Sequence, residues 1–407
     1  MRIKKRTIID LMAGYLILWT FIPPVQVGTL YRVLAVGCLF LWFVKSVNQQ
    51  FVRRFSRYIL LAGVSIIGNV LLRYLAFQSL AEAIAGSLQW IIILSVGLII
   101  QYYLDVNPAY LKRLLIVWMV VVPVFCITTI QADLINPYAS RIANSEWLAE
   151  RFAENKNVGL YGFVFMCVFS LPCLIYALKE IKSMPRWIRV LMYVDVLLIT
   201  VMILVAGYSL AIICAGISSA IVLFVNFKKP IRMVVLLVLS AVGLLFYRQI
   251  LMGILRMLIS LTENNVVFQE KFAEFYLFLA YGSQSGDLAE RLKNYAHSLN
   301  NILQYPVVGC YFFGTKGGGG HSFILDAIGK MGWLFGGISV YLMVRMPFKI
   351  NGIRRKNVLD WAMVVSWLLF LIADPICQEL AIAVFMIFPI IQMLCKEQRN
   401  AWQGEVA

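Results

Sequence analysis

Residues Ser285–Gly337 read SGDLAERLKNYAHSLNNILQYPVVGCYFFGTKGGGGHSFILDAIGKMGWLFGG. This is the one long segment at which a series of apolar runs stops and then restarts, so its reading decides the fold. It holds both histidines of the chain, His297 and His321, and four consecutive glycines, Gly317 to Gly320, that end directly on His321. Asp287-Leu288-Ala289-Glu290 fits a capping box, with Asp287 as N-cap and Glu290 at N3. Leu288, Leu292, Tyr295, Leu299 and Ile302 then recur at helical spacing, and Pro306 closes the helix. Arg291, Asn294, Ser298 and Asn301 form a polar stripe on another face. A helix lying along a membrane surface therefore holds Arg291 towards a polar space.

Outward from this segment the chain is apolar. Of its residues 61% are hydrophobic and 14% charged, where a soluble domain carries about 25% charged residues. The fold class is an all-α polytopic membrane protein of about twelve spans, each close to the length that crosses a bilayer. Residues 1–247 hold spans 1–9: Ile8–Phe21, Gly28–Val44, Tyr58–Leu72, Ala83–Gln101, Leu114–Ala132, Val158–Leu178, a hairpin over Ile188–Asn226 split at Gly207-Tyr208-Ser209, and Met233–Tyr247. Residues 248–320 form a long outer loop between spans 9 and 10, in which Ile250–Leu261 and Phe272–Tyr281 read as interfacial helices. Residues 321–407 hold spans 10–12, at Ser322–Val344, Val358–Ala373 and Leu380–Leu394, and a cytoplasmic tail. The first apolar run lacks a small-residue cleavage site before Pro23-Pro24 and reads as a retained span.

The net charge is +16, but Lys and Arg cluster in alternate loops. That is the positive-inside pattern, which reports orientation and not nucleic acid, and it places both termini in the cytoplasm. No internal repeat marks a carrier of two similar halves. The eight cysteines show no metal spacing; Cys310 and Cys377 both face outward, where a pairing is conceivable. There is no D-x-D, H-E-x-x-H, Walker loop or G-x-S-x-G, so metal-dependent transfer and serine hydrolysis lack visible equipment, and no metal or cofactor is expected.

What remains is a histidine, a glycine run and outward arginines. His321 opens a span, and an imidazole is the side chain best suited to take a proton from a hydroxyl. His297 lies within a surface helix and reads as an ordinary surface residue. Gly319 and Gly320 present backbone N–H groups near a helix start, where an anion is welcome, with Lys316 beside them; a flexible link is the equal alternative. Arg291 can grip a phosphate with two parallel hydrogen bonds. Arg248 and Arg256 can do the same or serve as interfacial anchors. Asp326 and Lys330, four apart on one helix face, read as a mutual pair.

The run Arg291…Pro306-Val307-Val308-Gly309…His321-Ser322-Phe323-Ile324-Leu325…Gly332…Gly336 resembles the bacterial O-antigen polymerases and the related O-antigen ligases. In that family an arginine begins an outer helix, a P-x-x-G turn follows, and a histidine opens a span, usually as H-N-x-x-L. Here Ser322 stands in the asparagine position, and the Gly207-Tyr208-Ser209-Leu210 hairpin lacks the Ser-Arg pair often found there. The resemblance implies a metal-independent glycosyltransferase of the bacterial plasma membrane. It would act on undecaprenyl-diphosphate-linked oligosaccharide at the outer face, with a chain-length regulator as a further partner. His321 and Arg291 are then the catalytic residues, with Arg248, Arg256, Lys316, Gly319 and Gly320 around the substrate. A ligase acting on another lipid or a protein, a flippase or other transporter of lipid-linked oligosaccharide, and a sensor of an outer ligand are the alternatives. A transporter would place charges deep in several spans; here Asp195 and the Asp326/Lys330 pair are the few deep candidates.

Overall fold

The computed structural model describes residues 5–27, 29–46, 49–136, 139–142, 158–225, 247–262, 269–270, 272–273, 276–277, 280, 287–315, 317, 319–350 and 357–404. All regular structure among them is helical: α1 Lys5–Phe21, α2 Thr29–Ser46, α3 Gln49–Phe77, α4 Leu80–Val106, α5 Pro108–Ile135, α6 Tyr161–Glu180, α7 Arg186–Ala206, α8 Ser209–Phe224, α9 Tyr247–Leu261 and α10 Asp287–Gln304. Helix α11 is Phe323–Met331, a π turn Gly332–Gly336, and Gly337–Ile350; α12 is Val358–Ala373; α13 is the π segment Ile382–Ile387 and Phe388–Gly404.

Among the described residues six helices are long and apolar enough to cross a membrane: Phe51–Phe77, Leu80–Val106, Pro108–Ile135, Tyr161–Glu180, Arg186–Ala206 and Phe323–Phe348. Shorter apolar helices include Thr7–Phe21, Ser209–Phe224 and Val358–Ala373. The stretch Met233–Tyr247, read as a span, lies outside the described residues but for its last one.

Local chemistry explains the boundaries. Gly207, at φ 64, takes the left-handed conformation that ends α7, so that α8 can turn back at Ser209. Asn107 caps α5 with its side chain, and Pro108 follows at the first helical position. Asn357 and Asp360 close α12 with a reciprocal capping box.

Helix α6 is the most enclosed. Its Phe163, Phe165 and Phe169 are all fully buried, and Phe165 and Phe169 pack against Phe370 of α12. At one end of the bundle Arg54 pairs with Asp105 at 2.9 Å and Lys112 with Glu397 at 2.8 Å. Several of the basic turns therefore gather together, away from the end where α10, the start of α11 and the α12–α13 turn meet.

Candidate functional site

The site forms where that second end is tied together. Pro306–Gly309, the turn after α10, docks on the π turn of α11: Trp333 donates its N–H to Pro306 O at 2.8 Å and Leu334 to Val307 O at 3.1 Å. Gly309 and Gly332, at φ 78 and 68, face this contact. A Cβ on either would overlap the other strand's backbone, so the approach requires glycine at both. Ser322 then caps α11, accepting from Leu325 N at 3.2 Å. Serine serves as well as asparagine in that role, so the departure at this position keeps the helix start. Phe323 donates its N–H to Asp374 O at 3.1 Å, which brings the α12–α13 turn to the residues following His321.

Asp374 becomes the centre of the arrangement. Arg291 Nη1 stands 3.4 Å from its Oδ1; the carboxylate side chain is 5% exposed and the guanidinium 35%. The Tyr295 hydroxyl lies beside the same guanidinium, which is one third exposed and so open to a ligand as well. The buried Tyr161 hydroxyl lies beside the same carboxylate without meeting hydrogen-bond geometry. Tyr295 donates to Ala373 O at 3.0 Å and holds α10 against the end of α12. Burial pushes the Asp374 carboxyl above the ordinary carboxylate range, opposed by Arg291, by Tyr161 and by the nearby His321 ring. His321 is half-buried and forms no hydrogen bond within the described residues, which leaves both ring nitrogens for a ligand.

The expected polar stripe of α10 faces inward, with Ser298 2% and Asn301 4% exposed, whereas Leu292, Leu299 and Leu303 are exposed on its other side. This inside-out arrangement suits a helix with protein on its polar face and lipid on its apolar one. The Asp326/Lys330 pair is present at 3.4 Å. Asp326 also accepts from Ser298 Oγ at 2.6 Å and from the Gly320 amide at 2.5 Å. The Gly320 N–H is thus engaged by a carboxylate of the protein. Gly319 and Gly320 adopt φ 105 and 112, and a Cβ on Gly319 would overlap Asp326 and Ser298, so both positions demand glycine for backbone shape.

The remaining expected residues lie elsewhere or outside the described set. Arg256 hydrogen-bonds the Tyr276 hydroxyl at 3.0 and 2.6 Å and lies over its ring, away from Asp374. The Arg248 side chain and Lys316 lie outside the described residues. His297 is exposed on α10. Cys310 and Cys377 are both free and buried. Among the described residues no group of His, Cys, Asp and Glu could hold a metal ion. Sequence reasoning had not placed Asp374 and Tyr161 at this centre. The one available signal was an acidic residue directly before Pro375 at the end of an apolar run.

Glu379, in the turn between α12 and α13, is a second buried carboxyl, and Gly162 of α6 makes room for it, since a Cβ there would overlap the carboxylate. Burial pushes Glu379 up to about 7, against its own backbone N–H and Gln26. A carboxyl raised in the fold contributes full stability below the unfolded value of 4.5, and that contribution is lost as pH rises through about 7. The interval corresponds to about 3 kcal/mol. Glu379→Gln is therefore expected to melt higher than wild type at about pH 8.5 and to match it near pH 4.5. The same melting difference at both pH values would sink the argument.

These features define a class: an all-helical chain with several helices able to cross a membrane and a polar, arginine- and histidine-bearing site at one end of the bundle. No protein-family model, curated protein or solved structure matches the chain.

Proposed function

We propose that the chain is a polysaccharide polymerase of the bacterial plasma membrane. It moves a growing glycan from undecaprenyl diphosphate onto the sugar of a lipid-linked repeat unit at the outer face. The observation that supports this reading is the convergence of Arg291 of α10 and His321, just ahead of α11, on the buried carboxylate Asp374.

A lipid diphosphate is a good leaving group, so the reaction needs a base for the acceptor hydroxyl and a cation for the departing charge. His321 takes the hydroxyl proton as the oxygen attacks the anomeric carbon and the bond to the diphosphate breaks. Asp374, close by, offsets the charge the imidazole gains, in the way a carboxylate supports a catalytic histidine elsewhere. Arg291 presents its exposed N–H groups to the diphosphate. No step calls for a metal. In proteoliposomes, the purified chain with a lipid-diphosphate-linked repeat unit is expected to yield a ladder of longer glycans that survives EDTA. A single transfer to a different lipid or a protein would make it a ligase, and translocation without bond formation would make it a transporter.

In this reading the chain has about twelve spans, with the site outside and both termini in the cytoplasm. Cysteines introduced at Asn155 and Ser285 are expected to react with an impermeant reagent in intact cells, and one at Lys182 is expected to stay protected. The reverse pattern would invert the topology.

A further inference from the structure

A cavity of about 180 Å³ lies between α3, α4 and α11. It shares Gly320 and Pro375 with the surroundings of the site above but is not lined by His321, Arg291 or Asp374. Two cations reach it, Arg73 and Lys330. Lys330 is matched by Asp326 at 3.4 Å. Arg73 has no such partner: among the described residues no carboxylate forms an ion pair with it.

The protein nevertheless builds a place for this guanidinium. Arg73 Nε donates to Asn69 Oδ1 at 2.9 Å, and Ser87 Oγ donates to the same oxygen at 3.3 Å. The guanidinium carbon stands 5.8 Å from the Tyr311 ring centre. Gly86 of α4 supplies the space, because a Cβ there would overlap Arg73 Nη1. A cation positioned in this way between two apolar helices, with its counter-charge missing, is costly unless a ligand provides that charge. With Lys330 and Asp326 cancelling, the cavity carries one net positive charge.

We infer that this cavity is a second phosphate site, separate from Arg291, with Arg73 as its principal cation. It takes the phosphate or diphosphate of a substrate, whether lipid-borne or soluble. The inference deepens the transfer reading and rests on it in one respect: a polymerase has two lipid diphosphates as reactants and needs a place for each. Guanidinium matches phosphate through parallel N–H donors.

The test measures binding of farnesyl diphosphate and of inorganic pyrophosphate to the full chain in phosphatidylcholine nanodiscs. Wild type is expected to bind two farnesyl diphosphates; Arg73→Gln is expected to bind one, and Arg291→Lys, which keeps a charge beside Asp374, to hold the other more weakly. At the Arg73 site the affinity falls roughly 10- to 100-fold in Arg73→Gln, as expected for losing a charge-assisted contact. Gly86→Ala raises helix propensity and displaces the guanidinium, so it reproduces Arg73→Gln without removing the charge. Equal affinity for pyrophosphate supports the site with a soluble source, and a strong preference for farnesyl diphosphate supports it with a lipid-borne one. Wild-type stoichiometry and affinity in both Arg73→Gln and Gly86→Ala would overturn the inference. Loss of a site in Arg73→Gln, with Arg291→Lys binding as wild type does, would keep this cavity while removing Arg291 from the transfer reading.

Discussion

Replacing His321 with alanine is expected to reduce glycan transfer roughly 10²- to 10⁴-fold, the usual worth of a general base, and to stop chain elongation in cells. The ring is half-buried and spends no hydrogen bond on the described residues, so its loss leaves little packing or polar debt behind. Donor binding is expected to stay near the wild-type level, because the proposed mechanism gives the diphosphate to Arg291 and not to the imidazole. His297→Ala, on the exposed face of α10, is the internal control and should give normal glycan lengths. Long chains from a stably inserted His321→Ala protein would remove His321 from the mechanism, and with it the main chemical reason for reading the chain as an enzyme.

Arg291→Lys is the second large effect. Deleting the charge outright would strand the buried Asp374 carboxylate, and a folding defect would be mistaken for a catalytic one. Lysine keeps the charge and the partner but loses the fork that fits a phosphate. The expected outcome is normal accumulation in the membrane with transfer down about tenfold or more, from weaker donor binding. The pH profile carries an independent mark. Asp374 is raised from its ordinary 3.8 mainly by burial, so the support it gives an imidazolium is lost as pH falls through a value above that of a free carboxylate. Asp374→Asn should abolish this acid limb as well as lower the rate. An Arg291→Lys protein that binds farnesyl diphosphate and elongates like wild type would exclude Arg291 from the site.

Much of the helical layout was legible because it is written in local chemistry. Val358–Ala373 was read with the bounds it has, since the basic run before it and Asp374-Pro375 after it leave little choice. Gly207 marked the hairpin through the one conformation glycine takes cheaply. Helix α3 was read too short. It begins at Gln49 and runs through Arg53, Arg54 and Arg57, because charge ends a bilayer segment without ending a helix. The site was legible only in part. His321 and Arg291 stood out as rare types in a polar interval, but the carboxylate that unites them lies far along the chain from both, at no helical or motif spacing. The glycine run read as a place for an anion. The fold gives the Gly320 amide to Asp326, and a sequence cannot report which of two acceptors wins. Nothing at helical or motif spacing ties Arg73 to Gly86 and Tyr311, which the fold packs around it.

The π turn Gly332–Gly336 sets the rotational phase between the two halves of α11. A π turn holds one more residue than an α turn, and each residue advances a helix by roughly 100°. Deleting a single residue there would let α11 run as one regular helix. The half after Gly336 would then turn by about that angle relative to the half that carries His321. Ser339 would leave the Ser65 hydroxyl it meets at 2.6 Å, and the fully buried Leu342, Met343 and Met346 would rotate off the core. The Pro306–Gly309 turn would lose both of its backbone anchors at once. The length of this short glycine-bounded segment is therefore a phase constraint on α11: a substitution inside it perturbs one contact, whereas a one-residue change in its length uncouples the end beside His321 from the rest of the helical bundle.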